Sequence, residues 1–230
     1  MEFVTQVLLR DEHPFEHEFF LRTSKSFPFM KQLAIMNRKA QQIKSNNDNK
    51  ILSIIESPNL TRLDLSYTHD DYVQLFLFNM KIVTQVLLRG EHPFEHEFFL
   101  RISKSFPFMK QLTIMNWEAQ QIKSNNDDKI LSIIEYPNLT RLNLTFTHDD
   151  YVQLFLFNMK MSLPNNLHLR VDYESLERVT YCFTRYMTEN NSTKFAALYF
   201  DPGDQIDEYH IKNYFPYACI HRTFRFILSK

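Results

Sequence analysis

The amino-acid sequence predicts an α/β solenoid in which about eight strand–helix units follow one another, with an atypical cap at the C-terminal end. Two observations support this fold class: a long internal duplication, and a shorter apolar period inside each copy. The chain has 230 residues, of which 44% are hydrophobic, so it can bury a core of ordinary size.

The duplication covers most of the chain. Residues 4–82 recur as residues 83–161, and 68 of the 79 aligned positions are identical. Long phrases such as HPFEHEFFLR and THDDYVQLFLFNMK therefore occur twice. We expect one continuous solenoid domain made of a first block at 1–82, a near-identical second block at 83–161, and degenerate repeats with a C-terminal cap at 162–230.

Each block contains three segments with apolar residues at the first, fourth and sixth positions. In the first block they are VTQVLL, MKQLAI and LTRLDL. This L-x-x-L-x-L pattern is typical of the strand segment of a leucine-rich repeat. The fourth positions are 23 to 30 residues apart, which leaves room for one strand and one helix per unit. They are Val7, Leu33, Leu63, Val86, Leu112 and Leu142, with looser matches at Leu169 and Leu198.

Helix signals fill the intervals between these strands. A Thr precedes each copy of HDDYVQLFLFN, where it can cap a helix, and two Asp follow in the first turn, where the helix dipole favours negative charge. A Pro stands before each copy of FEHEFFLR and suits the first helical position. An Asn-Asp pair precedes each copy of KILSIIE. These starts are Thr68, Thr147, Pro14, Pro93, Asn47, Asp48, Asn126 and Asp127.

The tail after residue 161 departs from this regular pattern. Residues 173–187, YESLERVTYCFTRYM, predict an amphipathic helix that holds Cys182 beside apolar residues, and residues 201–205 predict a turn. The last residues are dense in aromatic side chains. We interpret the tail as degenerate repeats followed by a cap, because a solenoid needs its last unit covered.

Composition excludes several classes of function. Lys and Arg number 26 against 27 Asp and Glu, with no basic stripe, so we expect no nucleic-acid partner. No apolar run is long enough to span a membrane. Two cysteines, Cys182 and Cys219, favour a reducing compartment, and we expect a cytoplasmic or nuclear location. With only two glycines the chain lacks a phosphate-binding loop, and we expect no cofactor.

The phrases FPFMKQL, SPNLTRLDLSYTHDDYVQLFL and LPNNLHLRVDYESLERVT resemble the leucine-rich-repeat portion of F-box proteins, over residues 4–187. In that family the repeats hold a target protein while an F-box recruits the ubiquitin-ligase machinery. No F-box is visible ahead of the first repeat. The asparagine that often follows the strand in such repeats is also absent from its equivalent positions, which hold Glu12, Arg38 and Thr68.

The residues between the apolar strand positions predict a binding face. Alternate side chains of a strand lie on opposite faces, so these residues face away from the core, on the concave surface of the expected solenoid. Mixed polar, cationic and Met side chains suit protein recognition, although they are equally typical of strand residues that only meet solvent. The candidate partner-binding residues are Gln6, Arg10, Gln32, Met36, Arg62, Asp64, Gln85, Arg89, Gln111, Met115, Arg141 and Asn143.

Three motifs resemble chemical sites but favour structural roles. HPFEH places His13 and His17 four residues apart, yet Pro14 puts His13 at the helix start, so we expect no metal site. The adjacent residues of His-Asp-Asp at 69–71 do not face each other on a helix, and capping accounts for them. Nothing around Cys182 suggests a nucleophile with an oriented base. We therefore expect no catalytic residues.

The expected function is a non-enzymatic scaffold that binds an unidentified protein on the concave face of the repeat sheet. The alternative is a substrate-recognition subunit of an F-box-type ubiquitin ligase, with the F-box lost or encoded separately. Ubiquitin-ligase components would then be among its partners.

Overall fold

The computed structural model describes residues 3–11, 13, 15, 17–39, 57–68, 82–121, 133–157, 161–185 and 193–223. Strands form where apolar residues alternate, because one face of each strand can then be buried. The strands are β1 Gln6–Arg10, β2 Gln32–Met36, β3 Arg62–Ser66, β4 Gln85–Arg89, β5 Gln111–Met115, β6 Ile134–Glu135, β7 Arg141–Asn143, β8 Met161–Ser162, β9 Leu167–Arg170, β10 Phe195–Phe200 and β11 Cys219–Arg222. The helices are α1 His17–Ser26, α2 His96–Ser105, α3 Asp149–Phe157, α4 Tyr173–Val179 and α5 Glu208–Tyr214.

Nine of the strands form one parallel sheet. Its order is β1-β2-β3-β4-β5-β7-β9-β10-β11, so within the described residues the sheet is open, with β1 and β11 at its ends. The short strands β6 and β8 pair with each other, also in parallel. This arrangement confirms the predicted α/β class, and its strands form a large parallel sheet.

The register brings the predicted apolar positions into one row across the sheet. Each strand pairs with the next so that its fourth-position residue meets the corresponding residue of its neighbour. Inside the sheet these residues are buried, and they belong to one hydrophobic core. Ile220 of β11 continues the row as a ninth member that the sequence analysis did not predict. The row is Val7, Leu33, Leu63, Val86, Leu112, Leu142, Leu169, Leu198 and Ile220.

Aromatic side chains pack α2 and α3 into this core. Phe99 of α2 lies 5.6 Å from Phe155 of α3 and 6.1 Å from Tyr151, measured between ring centroids. All three side chains are fully buried. The Tyr136 hydroxyl donates to the carbonyl of Phe99, which ties the loop before β7 to α2. The core therefore lies on the face of the sheet that the apolar row occupies.

The second-block helix at FEHEFFLR begins later than predicted. The proline places its start at Pro93, but α2 begins at His96. Glu95 has an extended backbone, with φ −84° and ψ 168°, so Phe94 lies before the helix. The backbone N–H of Phe94 donates to the buried hydroxyl of Tyr151, 2.9 Å away. In the first block α1 likewise begins at His17.

Two other helix predictions are wrong within the described residues. Ile134 and Glu135, at the end of the second KILSIIE copy, form the short strand β6, whose partner β8 lies more than twenty residues later in the chain. The helix predicted over residues 173–187 ends at Val179, and Cys182 is exposed rather than buried in it. The backbone φ of Tyr181, Cys182 and Phe183 is positive, at 49°, 53° and 61°, so the right-handed helix cannot continue there. The buried hydroxyl of Thr180 accepts from the N–H of Phe183 in this turn.

The remaining predicted helices are α3 and its first-block copy. Residues 149–157 form α3 as predicted, starting after Thr147 and His148. The first-block copy at 69–81, the KILSIIE segment at 50–56 and most of its second copy lie outside the described residues. The predicted turn at residues 201–205 leads toward α5, and the tail adds the ninth strand to the sheet instead of only covering it.

Candidate binding face of the sheet

All twelve predicted binding residues lie on strands of the nine-stranded sheet, opposite the buried row. They are half-buried or exposed, while the apolar residues that face the core on the same strands are more deeply buried. Pairing places six of them side by side in a second row: Gln6, Gln32, Arg62, Gln85, Gln111 and Arg141. The strand alternation therefore brings the predicted residues to one face, which we call the candidate face.

A cavity of about 570 Å³ lies on this face over β3, β4, β5, β7 and β9. Only some of the twelve candidate residues line this cavity. Seven of them line it: Arg62, Asp64, Gln85, Arg89, Gln111, Met115 and Asn143. The other five lie on the same face but outside the cavity lining: Gln6, Arg10, Gln32, Met36 and Arg141.

Seven further residues line the cavity, and two of them, Arg170 and Phe146, matter most for its charge and its aromatic content. Arg170 lies on β9 one position after the apolar Leu169, so the same strand alternation could have identified it. Phe146 follows β7 with a backbone φ of 62°, in the left-handed region. Its position depends on how the chain leaves the sheet, and apolar spacing carries no signal for that.

Arginine dominates the charge of the cavity. Arg62, Arg89 and Arg170 line it with a single carboxylate, that of Asp64. Arg170 donates to Asp201, 2.8 Å away, and both side chains are largely buried. Among the residues that the structure describes, no carboxylate lies within 4.0 Å of the guanidinium groups of Arg62 or Arg89. The described lining therefore carries more positive than negative charge, and its two unbridged arginines are Arg62 and Arg89.

Asp64 and Asn143, which are equivalent in the two blocks, hold the ends of their own strands. Asp64 Oδ1 accepts from the backbone N–H of Ser66 at 3.0 Å and from its hydroxyl at 2.6 Å. Asn143 Oδ1 makes the same two contacts with Thr145, at 3.0 and 2.8 Å. These local bonds shape the backbone after the strand. The two side chains thus have a structural role that leaves less of their bonding capacity for a ligand.

Four residues just beyond the strands form what we call the rim: Arg38, Tyr67, Trp117 and Phe146. In the first block the Arg38 guanidinium lies 5.2 Å from the Tyr67 ring centroid, and Arg89 lies 4.6 Å from the same ring. In the second block the same two positions hold Trp117 and Phe146, whose rings are 5.8 Å apart. The two blocks therefore make a side-chain contact at the same pair of positions, but it is a cation–π contact in the first block and an aromatic–aromatic contact in the second.

Asparagines do follow two of the strands, β2 and β5. In the first block the asparagine is Asn37, one residue before Arg38, where the leucine-rich-repeat pattern expects it. Asn37 and Asn116 are buried, and the side-chain amide of each donates at 2.6 Å to a backbone carbonyl of the preceding strand's loop, that of His13 or His92. Counting along the repeat pattern placed the asparagine at Arg38 and missed these bonds. Both asparagines join adjacent units.

The His-Asp and His-Glu motifs considered for catalysis or metal binding do not form a catalytic or metal-binding cluster among the described residues. His13 is exposed, with Nδ1 3.3 Å from Asp11 Oδ1, and the side chain of His17 lies outside the description. In the second block His148 contacts Asp150, whose other contact is the backbone N–H of Gln120. No group of three or more His, Cys, Asp or Glu side chains that could hold a metal ion occurs in the described part.

Comparisons with known proteins add no relative. No family model matches the chain, and no curated protein matches it. Within the described ranges, the helices are all too short or too polar to cross a lipid bilayer.

Proposed function

We propose that the chain is a leucine-rich-repeat-like solenoid that acts as a non-enzymatic protein-binding scaffold through the candidate face. The observation that supports this most is the cavity, which lies on the open face of a nine-stranded sheet whose other face carries the core. Arg, Gln and Met line it, and Arg and Met are enriched in protein interfaces. Solenoids commonly bind along such a surface.

A binding role also fits the residues of the cavity lining better than a catalytic role does. Among the described residues, the lining includes no Cys, His, Lys or Glu side chain, and its one Asp is hydrogen-bonded to Ser66. Gln85 and Gln111 stand side by side at its centre and offer amide donors and acceptors, which suit the backbone of a bound polypeptide. A protein-binding surface can use the arginine, glutamine and methionine side chains of the lining as contacts.

Site-specific photocrosslinking tests the proposal. A photoreactive phenylalanine analogue is placed at Gln111 inside the cavity, and, as a control, at Tyr209, which is 73% exposed on α5 away from the candidate face. We expect a discrete protein adduct from the Gln111 position and none from the Tyr209 position. Adducts from Tyr209 alone, or equal adducts from both, would overturn the proposal.

A second candidate function is substrate recognition for an F-box-type ubiquitin ligase, with the F-box lost or separate. The observation that favours it is the resemblance of whole phrases over residues 4–187 to the repeat region of such proteins. Co-purification of ligase adaptor subunits with the intact chain would support this role. Recovery of a partner at Gln111 without any adaptor would favour the simple scaffold.

A further inference from the structure

The uncompensated charge of the cavity indicates what kind of partner it fits. Its lining carries three guanidiniums and one carboxylate, and the buried pair of Arg170 with Asp201 accounts for one guanidinium. Arg62 and Arg89 remain as the cationic groups that a ligand can reach, on neighbouring strands β3 and β4 and four positions apart in the register. With the carboxylate of Asp64 counted, the described lining keeps one net positive charge. Arginine binds carboxylates through two parallel hydrogen bonds, so acidic side chains complement these positions.

The second block adds an apolar feature beside this charge. Trp117 is 66% exposed and packs against Phe146, which itself lines the cavity. Large aromatic side chains next to arginines are typical of the residues that contribute most to protein interfaces. Glu118 follows Trp117, so an apolar side chain suits this end of the cavity better than another carboxylate.

The sequence differences between the two blocks are concentrated on the candidate face and just beyond its strands. Seven of the eleven differing pairs lie on the candidate face or within three residues after a strand, and they alter charge and aromatic content there. These seven are Asp11/Gly90, Ala34/Thr113, Arg38/Trp117, Lys39/Glu118, Asp64/Asn143, Ser66/Thr145 and Tyr67/Phe146. The core positions of the strands are the same in both copies. The two halves of the face therefore differ in what they can bind while the fold stays the same.

We propose that the cavity is a binding site for an extended acidic segment of a protein, with carboxylates on Arg62 and Arg89 and one apolar side chain against Trp117 and Phe146. This inference rests on the proposed scaffold function and names the chemistry of its partner. The cavity spans five adjacent strands, or about 19 Å at the usual spacing of strands, which matches about six residues of extended chain.

The observations favour a protein over a nucleic acid. A nucleic acid needs a run of cations along its backbone, whereas this cavity offers two arginines that have no carboxylate partner among the described residues, with amide side chains between them. At the rim, Glu91 holds Arg38 in an ion pair at 2.5 Å, so that arginine is already neutralised. An acidic peptide with spaced carboxylates fits two separated cations and an aromatic platform.

Trp117 is the only tryptophan of the chain, so its fluorescence reports directly on this site. The intact protein is titrated with a blocked heptapeptide of six Glu around a central Leu, and with the matched peptide in which Gln replaces each Glu. We expect a saturable change in Trp117 emission with the Glu peptide, and at least tenfold weaker binding of the Gln peptide. Raising the salt from about 0.05 M to about 0.5 M weakens binding of the Glu peptide, because screening shortens the reach of each charge.

The duplication supplies matched control variants. Arg62 and Arg141 are the same position of the two blocks and lie in the same row of the sheet, but only Arg62 lines the cavity. We expect Arg62→Glu to weaken binding of the Glu peptide at least tenfold, and Arg141→Glu to weaken it less than threefold. Arg89→Glu and Arg10→Glu form a second pair of the same kind, and circular dichroism checks that each variant is folded.

The outcomes separate this inference from the proposed function. Equal binding of the Glu and Gln peptides, or equal effects of Arg62→Glu and Arg141→Glu, would overturn the acidic-segment inference. Binding of a single-stranded oligonucleotide in place of the peptide would do the same. A protein crosslinked at Gln111 through a neutral or basic segment would leave the scaffold function standing and remove the acidic partner, whereas no adduct at Gln111 would remove both.

Discussion

Asn116 stabilises the junction between two neighbouring units through a buried side-chain amide. Its Nδ2 donates to the carbonyl of His92, and its Oδ1 accepts from the backbone N–H of Glu118 at 2.9 Å. Replacing it with Ala would leave both backbone groups without these partners, and a buried polar group without a partner costs about 1–3 kcal/mol. We expect Asn116→Ala to lower the free energy of unfolding by about 2 kcal/mol in a urea titration.

Asn138 is the matched control for this substitution. Its side chain donates to the carbonyl of Pro107 at 2.9 Å, but it is exposed, so water can replace that bond. We expect Asn138→Ala to change the free energy of unfolding by about 0.5 kcal/mol or less. Equal losses in the two variants would contradict the structural role given to Asn116.

Gly90 illustrates a close approach in the second block. A Cβ atom there would lie 2.7 Å from Cζ of Phe94 and 2.9 Å from Nδ2 of Asn116. We expect Gly90→Ala to destabilise the protein by about 1–3 kcal/mol, as measured by thermal unfolding, because the loop is already filled. Gly203→Ala serves as the control, since nothing lies within 4 Å of its Cβ position, and it should leave the melting temperature almost unchanged.

At this scale the sequence predicts the strand residues of the candidate site but not the loop residues. Arg62 and Gln111 follow from alternation along a strand, a rule that depends only on local geometry. Phe146 and Asn116 depend on the path of the chain after the strand and on a contact with another unit. Such contacts join residues distant in sequence, so periodicity does not reveal them.

At the scale of elements, an acidic residue at the start of α3 binds it to α4. Asp149 accepts from the Ser175 hydroxyl at 2.6 Å and from Nε and Nη2 of Arg178 at 2.8 and 3.0 Å. Burial acts to raise the pKa of Asp149, but the bonds from Arg178 and Ser175 outweigh it and hold the pKa below its ordinary value. The charged form is therefore favoured in the folded protein.

This pair makes part of the stability dependent on pH. Because the folded pKa of Asp149 is depressed, its contribution is present above the unfolded value of about 3.9 and is lost as the pH falls through the folded pKa. We expect Asp149→Asn to lower the free energy of unfolding by about 1–2 kcal/mol at neutral pH. The difference from the wild type should shrink below about pH 4, as followed by urea unfolding at several pH values.

Glu174 provides a control on the same arginine. It lies 3.8 Å from Nη1 of Arg178 but its side chain is almost fully exposed, so its attraction is screened by solvent. Glu174→Gln should change stability by less than about 0.5 kcal/mol at any pH. A loss as large as that of Asp149→Asn would show that net charge, and not the bonded geometry, is responsible.

Identical elements also show where local sequence stops determining structure. The segment QVLLR forms both β1 and β4, so its strand character is encoded locally. Its burial is not: Val7 and Leu9 are half-buried in β1, at the end of the sheet, whereas Val86 and Leu88 are buried in β4 between two neighbours. In the same way, α4 is shorter than its amphipathic pattern because the backbone of residues 181–183 is left-handed.

At the scale of the whole molecule, the duplication predicts that one block can be removed. Deleting residues 83–161 joins Ile82 to Ser162, at a junction equivalent to that between Met161 and Ser162. β3 would then lie beside β9 in the register that its copy β7 adopts, with Leu63 opposite Leu169 in place of Leu142. Since each unit of such a sheet mainly contacts its neighbours, the shortened chain should still fold.

We expect this shortened chain to give the same type of far-ultraviolet circular dichroism spectrum and a cooperative thermal transition, at a lower temperature than the full chain. It lacks Trp117 and most of the cavity lining, so it should not bind the Glu peptide when binding is measured by calorimetry. An unfolded deletion product would indicate that the two blocks depend on each other beyond the contacts at their junction.

The pairing of β3 with β4 has a consequence for the gene. It joins β3 of the first block to β4 of the second in the same parallel register as the sheet strands within each block. An in-frame exchange between the two near-identical coding units would therefore add or remove 79 codons without creating a new strand junction. We expect inherited length variation in this protein to occur in whole coding units, because such changes preserve the fold while altering the size of its surface.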